Sequence, residues 1–213
     1  MSTRKGQGIR FDTLLDQTKD EVLKTMDSTA TTAVHGDERS KVADQLALSY
    51  LYFELLKQPR SSLISLVNFA KNRDRSGMKM QYAHARISSL KSKFGLVTTN
   101  DEFLHEQHFP PSLVDSLLGQ HSPEQQKLIH SLFSLFEKYP SVISNCHEQI
   151  ESSFLAAYAS NLTSLVNSAW KSLPVLNQQN SDLAKFRLAI FMHSQEILAD
   201  SLRIFGLEPL HRL

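Results

Sequence analysis

Between its sparse breaks this sequence repeats its apolar residues every three or four positions and hardly anywhere every two. With only 7 Gly and 7 Pro in 213 residues, it lacks the turn chemistry that a chain of short strands needs. The spacing therefore predicts an all-α fold, a bundle of helices, and the length suffices to bury a substantial core without cross-links. Hydrophobic residues make up 41% and charged residues 21%, with a formal net charge of +1, so a nucleic-acid partner would have to be held by a local patch and not by the overall field. A lone cysteine, Cys146, excludes an internal disulfide and a cysteine-built zinc site, fits a reducing compartment, and reads as a buried core thiol. No apolar run reaches bilayer-spanning length and the first ten residues hold no signal-type stretch, so the expectation is a soluble protein, not secreted and without a membrane partner.

The helices can be placed from their start and stop signals. A first helix is expected from Phe11 to about Met26 with Asp12 as N-cap, followed by a polar linker from Thr25 to Gly36 that marks a boundary between residues 1–36 and 37–213. A second runs from Asp37 to near Gln58, and a shorter apolar segment covers Leu63 to Phe69. Periodicity is lost from Lys93 to Pro111, where Phe109-Pro110-Pro111 reads as a stiff connector. Ser122-Pro123-Glu124 reads as an N-cap with proline at the first helical position, opening a helix that Pro140 stops after Tyr139. The stripe from Leu155 to Leu173 predicts the longest helix, ended by Pro174. Ser181-Asp182 opens the last, closed by Gly206 as C-cap.

One segment, MKMQYAHARISSL from Met78 to Leu90, carries chemistry that a solvated helix does not need. At about 100° per residue, Met80, Ala83, Ile87 and Leu90 share one apolar face, Tyr82 and Arg86 lie together on one margin, and Gln81, His84 and Ser88 line the other as a second displayed polar flank. A ring beside a guanidinium suits a base and its phosphate, and equally suits a helix seam, so both readings stay open on spacing alone. His84 reads as a structural hydrogen-bonder, and no second ligand at metal spacing joins it, so no metal site is expected. There is no phosphate-binding glycine loop, HExxH or GxSxG, and Cys146 and His147 are adjacent, which points them apart on a helix. Arg4, Lys5 and Arg10 make the N-terminus basic, as a frayed end or as a loop that touches phosphate.

Together these stretches resemble a known family. MSTRKGQGIRFDTLLDQ is similar to the signature loop and following helix of class I arginyl-tRNA synthetases. QYAHARISSL resembles a helix of their DALR-type anticodon-binding domain, and DLAKFRLAIFMHSQEILADSLRIFGLEPLHRL resembles their C-terminal end. Order and spacing agree along nearly the whole chain, and the wording from Ser76 to Tyr82 resembles the organellar branch.

The resemblance implies an all-α bundle of the class I synthetase anticodon-binding type over residues 37–213, preceded over 1–36 by a signature-loop remnant and its linker helix. It implies that Ser2 and Thr3 bind ATP and that Arg4 and Lys5 act catalytically on the ATP phosphates. It places Tyr82, Trp170 and Leu213 at the tRNA anticodon, where Arg86 and Lys79 would add charge nearby. In such an enzyme the arginine carboxylate attacks the ATP α-phosphate and arginine then passes to the tRNA terminal adenosine. The implied partner is tRNA(Arg), with no DNA, and the implied location is the cytoplasm or the mitochondrial matrix.

Two departures bear on base recognition. Arg75-Ser76-Gly77-Met78-Lys79 replaces the family's acidic lead with its proline and aromatic, and Pro174 stands where some members have a second aromatic. Met1 stands at the signature loop, so the HIGH sequence and the arginine pocket would belong to a separate or missing catalytic domain. The expectation is tRNA binding without aminoacylation by this chain alone, and no cofactor of its own. The alternatives are a free-standing tRNA-binding adaptor and a structural helical module that has lost tRNA binding.

Overall fold

A computed structural model describes residues 10–28, 34–62, 75–96 and 109–213. Seven helices and no strand occur among them: α1 (Phe11–Ser28), α2 (Gly36–Leu56), α3 (Ser76–Phe94), α4 (Pro111–Gly119), α5 (Pro123–Gln149), α6 (Ser153–Ser172) and α7 (Ser181–Ile204). The expected all-α bundle is what the chain forms. The apolar segment expected at Leu63 to Phe69, and the signature-loop residues Ser2, Thr3, Arg4 and Lys5, lie outside the described residues.

The main core is made where α5 and α6 pack as neighbours and α3 and α7 lie against α6. Ile87, Ile129, Leu132, Leu162, Leu188 and Leu198 are fully buried in it, one apolar stripe from each helix. On the far side of α3, α2 and then α1 add a thinner layer, in which Val22, Val42, Leu46 and Leu210 share a smaller cluster. The crossing of α2 and α3 is close because Gly77 leaves room for it: a Cβ there would meet the Ser49 carbonyl oxygen at 2.1 Å and Phe53 Cβ at 2.8 Å.

Several boundaries differ from the sequence reading, each for a local reason. Asp12 lies inside the first turn of α1, which starts at Phe11, and there it pairs with the Arg10 side chain at 3.1 Å instead of capping. Pro111 is no mere connector residue but the first residue of α4, with Pro110 in the extended N-cap conformation. Ser122 does cap α5, in a reciprocal box with Gln125.

Pro140 does not stop α5. The helix runs on to Gln149 and, at 27 residues, exceeds the 20 of α6, which the sequence marked as longest. Proline costs a helix interior roughly 3 kcal/mol. Here Val142, Ile143 and Cys146 pack on the core beyond it, and the Tyr158 hydroxyl donates to the Leu135 carbonyl at 2.9 Å just before it. Cys146 is half-buried rather than fully enclosed, and burial pushes its thiol up from the ordinary value. For α7 the N-cap is Asn180, whose side chain accepts from the amides of Asp182 and Leu183, and Gly206 at φ 74° closes the far end as expected.

Candidate nucleic-acid interface

The two margins of α3 differ sharply in what they do. On the outer margin Tyr82 is 48% exposed, and the Arg86 guanidinium lies 5.2 Å from its ring centroid. The same guanidinium lies 4.2 Å from the ring centroid of Trp170, in the last turn of α6. Arg86 is thus shared between two aromatic rings, at the distances where a ring's negative face attracts a cation. Trp170 is itself steadied by Phe191 of α7, edge-on at 5.6 Å. No carboxylate pairs with Arg86 among the described residues, so the two rings hold the guanidinium while its N–H donors stay available to an anion.

Lys79 is exposed on the first turn of α3, on the same stripe as Tyr82 and Arg86. Leu213 packs with Met78 against the smaller cluster, and Met78 stands one turn before Tyr82. The structure therefore joins Tyr82, Arg86 and Trp170 in one stack and packs the chain's last residue on the same small cluster as Met78.

The inner margin is not a displayed flank, contrary to the sequence reading. Gln81 is 0% exposed and His84 2%, because the C-terminal residues after α7 pass directly over them as a strap. The Gln81 amide donates to Ser49 Oγ at 3.0 Å and to the Glu208 carbonyl at 2.9 Å, and its oxygen accepts from the Leu210 amide at 2.8 Å. His84 Nδ1 stands 2.8 Å from the Leu210 carbonyl, which can only accept, so that nitrogen carries the proton. Burial is the main reason its pKa falls to about 4, against the rise that this hydrogen bond gives. Gln195 of α7 completes the clamp, donating to Ser88 Oγ at 2.6 Å and to the His84 carbonyl at 3.1 Å. As a structural hydrogen-bonder His84 is what the sequence suggested; its buried setting is not.

The sequence reading missed two things. Phe191, the support behind Trp170, reads in sequence only as one more core residue. The stripe through Lys79, Tyr82 and Arg86 also continues to Ser89 and Lys93, at a spacing legible in the sequence.

Against this geometry stand the comparisons with known proteins. The model of the DALR anticodon binding domain matches residues 80–213, from the helix that carries Tyr82 to the end of the chain. The chain belongs to the DALR anticodon-binding domain family. A Dictyostelium discoideum protein named as a probable cytoplasmic arginine–tRNA ligase is 30% identical over 100% of this chain and 33% of its own length. The mitochondrial arginine–tRNA ligase of Saccharomyces cerevisiae is 28% identical over 100% of this chain and 31% of its own length. The arginyl-tRNA synthetase structure of Thermus thermophilus superposes with a TM-score of 0.75 at 20% identity, covering 100% of this chain and 33% of that one. The DALR chain is homologous to the C-terminal part of arginyl-tRNA synthetases and spans about a third of the length of the curated relatives it matches. Cytoplasmic and mitochondrial relatives match almost equally well, so the similarity does not favour the organellar branch. No described helix is long and apolar enough to cross a membrane.

Proposed function

We propose that this chain is the anticodon-reading portion of an arginine–tRNA ligase and that it grips the anticodon loop of tRNA(Arg) through the Tyr82–Arg86–Trp170 stack. One observation carries the reading: a guanidinium within 5.2 Å and 4.2 Å of two ring centroids, one ring half exposed, on the helix where the family match begins. Unstacked loop bases can lie on Tyr82 and Trp170, while Arg86 offers hydrogen bonds to phosphate or to a base edge. Lys79 adds charge on the same stripe, and Leu213, packed on the same small cluster as Met78, supplies apolar contact.

In the complete ligase, ATP activates arginine before its transfer to tRNA. Arg4 and Lys5 then act on the ATP phosphates, with Ser2 and Thr3 binding the nucleotide, and the chemistry itself belongs to a nucleotide-binding fold outside this chain. Residues 1–36 connect that fold to the reader at 37–213. By itself the chain binds tRNA without charging it, in the cytoplasm or the mitochondrial matrix.

The test compares the affinity of the 213-residue chain for tRNA(Arg) and for the same tRNA with its anticodon bases replaced. Wild type prefers the native anticodon. Trp170→Ala or Tyr82→Ala loses about 1–3 kcal/mol, the usual worth of one stacked base, and erases the preference. Equal, weak binding to both tRNAs would overturn the reading and leave a helical module without a reading function.

A further inference from the structure

We infer that the RNA-binding surface does not end at the aromatic stack but continues along α3 into a second site: a cleft between α3, α7 and the C-terminal strap that takes a nucleotide of the same RNA strand. This rests on the proposed reading and extends it to residues that neither the family match nor the resemblance assigns.

The cleft has a volume of about 1320 Å³. Two of its lining residues, Ser89 and Lys93, lie on the stripe that carries Tyr82 and Arg86, at i+7 and i+11 from Tyr82. At 1.5 Å per residue that stripe extends roughly 16 Å along the helix, so a strand stacked on Tyr82 has a continuous path to the cleft.

The charges there suit a polyanion. Lys93 of α3, Arg203 of α7 and Arg212 of the strap all line the cleft, all are exposed, and none has a carboxylate partner among the described residues. Three separate elements thus each direct one cation to a common space, which an isolated run of surface lysines would not do.

The two carboxylates that line the cleft are each engaged within the protein. Asp200 is already engaged, as acceptor of the Tyr139 hydroxyl. Glu196 turns one oxygen toward His193 Nδ1 at 3.6 Å, keeps its other oxygen buried, and interacts electrostatically with Lys91, which also lines the cleft. The backbone phosphates of a strand that enters the cleft meet Lys93, Arg203 and Arg212.

The experiment measures binding of the full chain to tRNA(Arg), with native and replaced anticodon, across a salt series. The test protein carries Lys93→Gln, Arg203→Gln and Arg212→Gln. A control carries Lys24→Gln, Lys127→Gln and Lys138→Gln, which remove the same charge from exposed positions elsewhere. The cleft predicts that the test protein loses tenfold or more in affinity for both RNAs, keeps its anticodon preference, and shows a log–log salt slope shallower by about one to three, while the control stays near wild type. An unchanged slope with preference intact overturns the cleft and spares the stack. Steep binding without preference, flattened only in the test protein, upholds the cleft and overturns the anticodon reading. Equal losses in test and control show a general charge effect and overturn the cleft, and a wild type that binds neither RNA overturns both.

Discussion

The two margins of α3 are built from the same kinds of residue and come to opposite ends. Tyr82 and Arg86 on the outer margin are held by rings and keep their polar atoms outward. Gln81, His84 and Ser88 on the inner margin spend theirs on the C-terminal strap and on α7. The difference teaches that a polar stripe on an amphipathic helix has no fixed meaning until the chain's distant segments are placed. One margin stays partly open, with Tyr82 about half exposed and Arg86 covered by the Trp170 ring, and the other became a core because residues some 120 positions later pack over it.

Acid should separate the margins most strongly, because only the inner one contains a buried histidine. His84 titrates near 4 in the folded protein and at an ordinary value of about 6.5 when unfolded. Between those values the unfolded chain binds a proton that the native chain does not, so stability is intact above pH 6.5 and falls as the pH drops toward 4. The shift corresponds to a loss on the order of 3 kcal/mol. His121, also lowered chiefly by burial, and with its Nε2 accepting from Arg187, acts in the same direction. Denaturation midpoints from pH 7.5 to 4.5 should therefore fall steeply, and His84→Asn, which can still donate to the Leu210 carbonyl, should flatten part of that limb. An unchanged limb in the variant would mean that His84 is not the sensor.

Breaking the inner margin at Gln81 should come next in size. Gln81→Leu keeps the side chain's approximate bulk but leaves the Leu210 amide and the Glu208 carbonyl without their partner. Stranded groups of this kind cost about 1–3 kcal/mol each, reduced here if the strap lifts into water. We expect a loss of about 2–4 kcal/mol in chemical denaturation, with hydrogen exchange accelerating first in the strap. A loss below about 0.5 kcal/mol would show that the strap is not held from α3.

This contrast also locates what was legible in the sequence. The apolar face of α3 could be read because Met80, Ala83, Ile87 and Leu90 repeat at helical spacing, and a periodic stripe has one economical use. Tyr82, Arg86 and Trp170 could be named because the resemblance tied them to one function, although their approach through Arg86 is a fact of three-dimensional packing. The fate of Gln81 and His84 depended on where Leu210 would lie, and no local pattern carries that information. The end of α5 was misplaced for the converse reason. A strong local signal, Pro140, was overruled by packing on both sides of it, whereas the true end is at Ile150, which adopts φ 50° and carries no glycine to announce it.

On the outer margin the expected effects on stability are smaller, and they divide charge from shape. Arg86→Lys keeps the positive charge but replaces a planar group that stacks on two rings with a compact, strongly hydrated ammonium. A cation–π contact at an exposed site is worth about 0.5–1 kcal/mol, and the loss in stability should stay within that range. Binding to tRNA(Arg) should weaken while its salt slope is preserved, because the charge remains. A lysine variant that binds as tightly as wild type would reduce Arg86 to a generic cation.

Tyr82→Ala should have the smallest effect on the fold. Nearly half of the residue is already in water, its hydroxyl makes no hydrogen bond among the described residues, and the helix gains slightly in propensity from alanine. Stability should change by less than about 0.5 kcal/mol, the usual limit for surface positions. Yet the same substitution should remove a base platform and, with it, the anticodon preference. That dissociation is the sharpest form of the comparison: at Gln81 fold and binding should fail together through the displaced strap, whereas at Tyr82, the next residue in the chain, binding should fail alone. If Tyr82→Ala instead unfolds the chain as readily as Gln81→Leu does, the ring belongs to a helix seam and the two margins of α3 are not functionally distinct.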